Sequence, residues 1–198
     1  MNRVLQAALI IVLLMAAAVG AYSLGIVMRG EPELGGTELE GRPDVSDLAL
    51  VGGDGSPVRL GDFAGRYLVV FFGYTNCPDV CPLTMSRLGS TYRSLGEPEG
   101  VQVVMITVDP ERDTPEAIHR YASGFHPDFI GLGGSGEALD EAAARFYVGA
   151  TGDPMGLIMH STQVMLVDQR GGYWRVYSDD SQRYLEADLQ ALLARAGG

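Results

Sequence analysis

The sequence predicts an α/β protein: a sandwich with a central sheet flanked by helices, preceded by one N-terminal transmembrane helix. Three observations predict it. Residues 67–72 and 101–108 are continuous apolar runs rich in β-branched and aromatic side chains, as strands covered on both faces require. Stretches with helical start signals alternate with these runs, and strands alternating with helices build a sheet between helical layers. Ahead of them, residues 4–28 carry no charge and are dominated by Leu, Ile, Val, Ala and Met.

That first segment is long enough to span a bilayer, since about 20 apolar residues in a helix cross the hydrocarbon core. A cleaved signal peptide is the competing reading, because Ala18, Gly20 and Ala21 offer small residues after an apolar run. The run continues through Leu24, Ile26 and Met28, past where such a signal ends, which favours an uncleaved single-pass anchor. Arg3 and Arg29 flank it almost evenly, so the positive-inside rule is nearly balanced and the short N-terminus, residues 1–3, is assigned to the cytoplasm. The globular part then lies on the periplasmic side of the cytoplasmic (inner) membrane of a bacterium. Thiols there oxidise unless they are reduced or metal-bound. Residues 29–42, with Pro32, Gly35, Gly36 and Gly41, read as a linker, and residues 43–198 as one domain.

Within the domain, residues 48–51 and 58–60 around Gly53, Asp54 and Gly55 predict a small hairpin. The strand at 67–72 runs directly into a loop holding both cysteines. A helix over 82–95 follows, then the strand at 101–108, then a helix with Thr114 as N-cap and Pro115 in its first position, ending near Gly124. A short strand at 129–132 and an Ala-rich helix over 136–148 come next. A strand at 159–167 pairs through a turn at 168–172 with residues 173–177, and a helix over 184–196 closes the chain.

Composition excludes several classes. The net charge is −11 and all 14 basic residues are Arg, with no basic stripe, so the chain lacks the electrostatic footprint that nucleic acid requires. The 27 Gly and 10 Pro stay below the roughly 25–30 % share that marks low-complexity chains. Two cysteines are too few for a disulfide-rich scaffold and enough for one bridge or one metal.

The cysteine loop reads Gly73-Tyr74-Thr75-Asn76-Cys77-Pro78-Asp79-Val80-Cys81-Pro82. Each Cys precedes a Pro, which disfavours helical backbone angles at the Cys. This places the helix start at Pro82 and Cys81 at the N-cap, where the helix dipole and open N–H groups favour thiolate. Cys77 then sits on an exposed loop. Two sulfurs on one rim suit a soft metal or a reversible disulfide. A structural disulfide is the plainer alternative, although a bridge over three residues restrains the unfolded chain little. Thiolates point to Cu(I) or zinc, and structural zinc wants four protein ligands where no other Cys exists. Among other donors, His119 lies mid-helix and His126 precedes Pro127, so solvated or capping roles are the default for both. His160 follows a loop at 149–156 and starts a strand, at the end of the sheet where loops collect. Met155 and Met159 offer thioethers, with packing as the plainer role. Phe71, Phe72 and Tyr74 read as core and rim.

The segment Phe71-Phe72-Gly73-Tyr74-Thr75-Asn76-Cys77-Pro78-Asp79-Val80-Cys81-Pro82 resembles the signature of the Sco/SenC family, copper-binding thioredoxin-like proteins that help assemble the copper centre of cytochrome oxidase. Val108-Asp109-Pro110-Glu111-Arg112-Asp113-Thr114-Pro115 resembles that family's second signature, and His160-Ser161-Thr162 before Val164-Met165-Leu166-Val167-Asp168 its third. The likeness spans roughly residues 43–196 in matching order. It implies a thioredoxin-like sandwich in which Cys77, Cys81 and His160 bind one copper, as Cu+ and/or Cu2+, with Asp109 supporting the site from behind the ligands. It also implies delivery to the copper-site subunit of cytochrome c oxidase, and exchange with another copper carrier or a thioredoxin-like reductant. Asn76 stands where the family often has His, and Met159 where it often has Asp. Asp109 and Arg112 also read as a turn-former and its surface partner.

The competing function is an extracytoplasmic thiol–disulfide oxidoreductase, with Cys77 and Cys81 as a redox-active pair that reduces the cysteines of the oxidase copper site or of another partner. Thioredoxin-like reductants usually carry two residues between the cysteines, and here there are three. Peroxidase relatives place a Thr three residues before the reactive Cys, whereas Thr75 is two before Cys77. A binding module with a structural disulfide leaves His160 unexplained.

Overall fold

The computed structural model describes residues 6, 10–20, 34–148, 151–152, 158–159 and 162–196. Two compact units are present, Met1–Glu33 and Leu34–Gly198. In the first, residues 10–20 are helical, with Ile10, Ile11, Leu13 and Leu14 exposed. Among the described residues no helix is long and apolar enough to cross a membrane, and most of the remainder of 4–28 lies outside them.

The second unit is built on a six-stranded mixed sheet. Its strands are β1 (Thr37–Glu38), β4 (Tyr67–Gly73), β5 (Val101–Thr107), β6 (Ile130–Leu132), β9 (Val164–Val167) and β10 (Tyr173–Tyr177), in the order β1-β10-β9-β4-β5-β6. β4 and β5 run parallel with Gly73 opposite Thr107, β5 and β6 are also parallel, and β9 lies antiparallel to β4. Two small hairpins accompany the sheet, β2 (Ala49–Val51) with β3 (Pro57–Arg59), and β7 (Thr151–Gly152) with β8 (Ile158–Met159). Four helices complete the unit: α1 (Val80–Ser94), α2 (Pro115–Ser123), α3 (Gly136–Arg145) and α4 (Leu185–Ala196).

Every residue of β4 and β5 is buried, because side chains alternate between two apolar layers. Val69, Phe71, Val103 and Met105 join Met85, Leu88, Ile118 and Leu189 from α1, α2 and α4 on one face. Leu68, Val70, Phe72, Val104 and Ile106 join Leu48, Leu50 and Leu60 of the hairpin region and Leu139 and Ala142 of α3 on the other. Each such fully buried side chain contributes about 1.5–3 kcal/mol relative to exposure.

The predicted elements appear in order, with three differences. The stretch read as linker, residues 29–42, contains β1, held on β10 by the buried Arg175, whose Nη1 donates to the Gly36 carbonyl at 2.6 Å and whose Nη2 meets Glu38 at 2.8 Å. The strand expected over 159–167 is two short strands, β8 and β9, separated by residues that include 160–161, outside the described set. The third difference is the start of α1, which bears on the cysteines.

Candidate metal centre

β4 delivers its end, Gly73, to the base of the cysteine loop, and the Val108 N–H donates to the Gly73 carbonyl at 3.0 Å. The strand must end in glycine here. A Cβ on Gly73 would stand 2.9 Å from the Cys81 sulfur and 2.8 Å from the Met105 methyl, so the missing side chain is the space the sulfur fills.

α1 begins at Val80, not at Pro82, and Cys81 is therefore inside its first turn, not at the N-cap. Pro82 itself is tolerated there because first-turn N–H groups have no intrahelical acceptor, so its missing donor forfeits no bond, and Cys81 adopts the helical angles that a following proline disfavours. Asp79, the residue before the helix, makes no side-chain cap bond. One open N–H of the first turn, that of Cys81, is directed instead at the Cys77 sulfur, 3.4 Å away. The helix N-terminus thus acts on Cys77. Cys81 is fully buried, and that burial, reinforced by the adjacent Cys77 sulfur and opposed by the Tyr74 backbone, pushes its thiol well above the ordinary value. The expected lowering at Cys81 is overturned, since desolvation outweighs the dipole at a closed position. Cys77 is likewise buried, at 8 % exposure, contrary to the exposed loop expected for it. The two are not joined by a disulfide. Burial, then the two sulfurs, also raises the Tyr74 phenol at the same rim.

Asp113 fixes the loop. Its carboxylate accepts the Thr75 N–H at 2.9 Å, the Thr75 hydroxyl, and the Thr107 hydroxyl at 2.8 Å, and it is 2 % exposed. Asp109 is buried beside it, its N–H on the Thr107 hydroxyl at 3.0 Å and its carboxylate on the half-exposed Arg112. The turn-and-partner reading of Asp109 and Arg112 describes this geometry. Neither Asp113 nor Tyr121, whose hydroxyl is buried, was singled out by sequence reasoning.

His160 lies outside the described residues, as does Met155; of Met159 only the backbone, in β8, is described. Among the described residues the two sulfurs find no third His, Cys, Asp or Glu to complete a metal-binding group. The other histidines have structural partners: His119 Nδ1 accepts the Gly131 N–H at 3.3 Å, and His126 is buried, with Nε2 3.2 Å from Glu97. The solvated default therefore fails for His126, while its Nδ1 accepts the Asp128 N–H at 3.2 Å as a capping role requires. Among the described residues, a cleft of about 660 Å³ runs between α1 and residues 179–186 and touches neither cysteine.

Comparison with known proteins places this arrangement. A family model described as SCO1/SenC matches residues 38–194. A SCO2-like protein of Rickettsia conorii is 31 % identical over 188 residues, covering 87 % of this chain and 90 % of its own length. The solution structure of apo Sco1 from Thermus thermophilus superposes with a TM-score of 0.70 at 40 % identity, over 84 % of this chain and 99 % of that one. Arabidopsis thaliana ScoI, solved with copper bound, gives a TM-score of 0.66 at 27 % identity, over 81 % and 98 %.

Proposed function

The chain belongs to the SCO1/SenC family, and from that premise we propose that it is a membrane-tethered copper chaperone that binds copper through Cys77, Cys81 and His160 and delivers it to the copper centre of cytochrome c oxidase. The observation that carries the reading is the pair of buried sulfurs, close enough that the Cys81 N–H points at the Cys77 sulfur at 3.4 Å. Two thiolates with one imidazole are a soft donor set that suits Cu(I), and copper is the cargo in this reaction. Solved members of the family, those of A. thaliana and Bradyrhizobium japonicum among them, carry bound copper.

Each residue then has a task. Cys77 and Cys81 take up copper and surrender their thiol protons, so binding strengthens as pH rises. Asp113, through Thr75, holds the loop so that the first sulfur stays over the second. Asp109 keeps the turn behind the site and holds Arg112 at its edge. The exposed apolar residues at 10–20 support the tether over 4–28, which would raise the concentration of the chaperone near a membrane-bound acceptor. Two cysteines this near each other can also close a disulfide, which keeps thiol reduction of the acceptor as the second reading.

The test is copper titration of the reduced full-length chain by chelator competition. We expect one copper per chain, and Cys77→Ser, Cys81→Ser and His160→Ala should each weaken binding beyond the roughly 10–100-fold typical of outer partners. His119→Ala serves as control. Unchanged affinity in His160→Ala removes that residue from the site. Normal oxidase copper in cells carrying His160→Ala, with both thiols intact, favours the thiol reductase.

A further inference from the structure

β9 meets the rest of the sheet at the cysteine end. It runs antiparallel to β4 with Val164 opposite Phe71. Two further residues of that register set Thr162 level with Gly73, whose missing Cβ leaves the space that the Cys81 sulfur fills. The other neighbour, β10, ends at Tyr177, which pairs with Val164. A ladder continued past that pair would bring Asp179 opposite Thr162, but the chain turns away, and the Ser181 and Gln182 N–H groups both donate to the Ser178 carbonyl at 2.9 Å. β10 therefore offers Thr162 no regular pairing, and backbone groups that leave a ladder need other partners.

Gln182 supplies one. Its side-chain Nε2 donates to the Thr162 carbonyl at 2.8 Å, taking the place of a strand donor. The amide is itself firmly placed. Gln182 opens a single 3₁₀ turn, Gln182–Tyr184, closed by the Tyr184 N–H on the Ser181 carbonyl at 2.9 Å and followed at once by the buried Leu185.

We propose that Gln182 is a positioning residue for copper: by pinning Thr162 beside the cysteine end of β4, it fixes the point from which the chain carries His160 to the two sulfurs. The proposal rests on the copper reading above and adds to it a residue that touches no metal. Two residues of chain span at most about 7 Å, so a held Thr162 keeps the His160 backbone within reach of the sulfurs before copper arrives. Without the amide, that stretch has to be ordered on binding, and each loose residue adds to the entropy lost.

Two variants of the reduced full-length chain test this. Gln182→Leu keeps the bulk and removes the donor, and Gln182→Glu keeps the shape but turns an acceptor toward the carbonyl. Cu(I) affinity by chelator competition should fall about tenfold to a hundredfold in each, the range for partners that orient a metal ligand. In chains that also carry His160→Ala, the same substitutions should change affinity by about twofold or less, because the residue they position is gone. Backbone amide exchange of the metal-free protein gives a readout that needs no copper: it should quicken at 162–164 and stay unchanged in β4 and β5. Unchanged affinity, or unchanged exchange at 162–164, overturns the proposal alone when the wild type binds copper and His160→Ala weakens it. An equal fall with and without His160 also overturns it, because Gln182 would then serve the fold around the sulfurs. A wild-type chain that binds no copper, or a His160→Ala chain that binds it as tightly as the wild type, removes the ligand reading and this proposal with it.

Discussion

A carboxylate engaged by three donors in a closed site holds a loop far more firmly than exposed ion pairs such as Arg120–Glu116, which contribute about 0–1 kcal/mol. Asp113 is that carboxylate, and hydrogen bonds to charged groups are worth about 1.5–3 kcal/mol apiece. Asp113→Ala should therefore lower stability by about 2–4 kcal/mol in urea denaturation, because it strands buried donors on Thr75 and Thr107. Thr75→Val, which keeps the shape and removes one donor, should cost about 1 kcal/mol, and the double variant should fall short of the sum. Additive losses would show that the two residues act separately. The cysteines and their spacing were legible in the sequence because their chemistry is local. The Asp113 clasp was not, because Thr75 and Asp113 are 38 residues apart and meet only through the parallel pairing that sets Gly73 beside Thr107. Tyr121 was illegible for a similar reason: on α2 it reads as one more apolar position, and only the fold buries its hydroxyl.

Strands β4 and β5 announced themselves by unbroken apolar runs, and α2 by Thr114 and Pro115, since period, capping and proline geometry act over a few residues. Boundaries set by competing local rules were harder. Pro82 argued for a late start of α1, and tertiary packing of Cys81 into the space left by Gly73 won. Short edge strands such as β1 carry almost no signal of their own, and Thr37–Glu38 is a strand only because β10 offers it a partner. The seat of α2 shows how tightly elements approach. A Cβ on Gly131 in β6 would stand 2.2 Å from the Ile118 carbonyl oxygen, so this strand position holds no side chain where the helix backbone rests. Gly131→Ala forces backbone against backbone, which has no flexible end to yield, and should cost about 3 kcal/mol, the upper part of the overpacking range. An alanine variant as stable as the wild type would mean that helix and strand part more easily than their contact suggests.

Across the whole molecule, burial does more than charge to set the ionisation of the core. Arginine as the sole basic residue type and a net charge of −11 keep the surface acidic, which suits brief docking to a basic patch on an acceptor, with an on-rate that falls as salt rises. Inside, the Cys81 thiol and the Tyr173 and Tyr177 phenols are all held above their ordinary values of 9.0, 10.0 and 10.0, with burial the first cause in each. A group whose folded value is raised keeps its proton in the fold after the unfolded chain has released it, so its stabilisation is complete below the unfolded value and is lost as pH climbs toward the folded one. The reduced, metal-free protein should accordingly lose stability in two stages on the alkaline side, the first from about pH 9 through Cys81 and the second from about pH 10 through the phenols. Urea midpoints measured across this range should fall more gently between pH 9 and 10 in Cys81→Ser than in the wild type, whatever the variant's starting level, because serine has no proton to release there. Parallel slopes in the two proteins would locate the first stage elsewhere, and would mean that the Cys81 sulfur is better solvated than its place behind Gly73 requires.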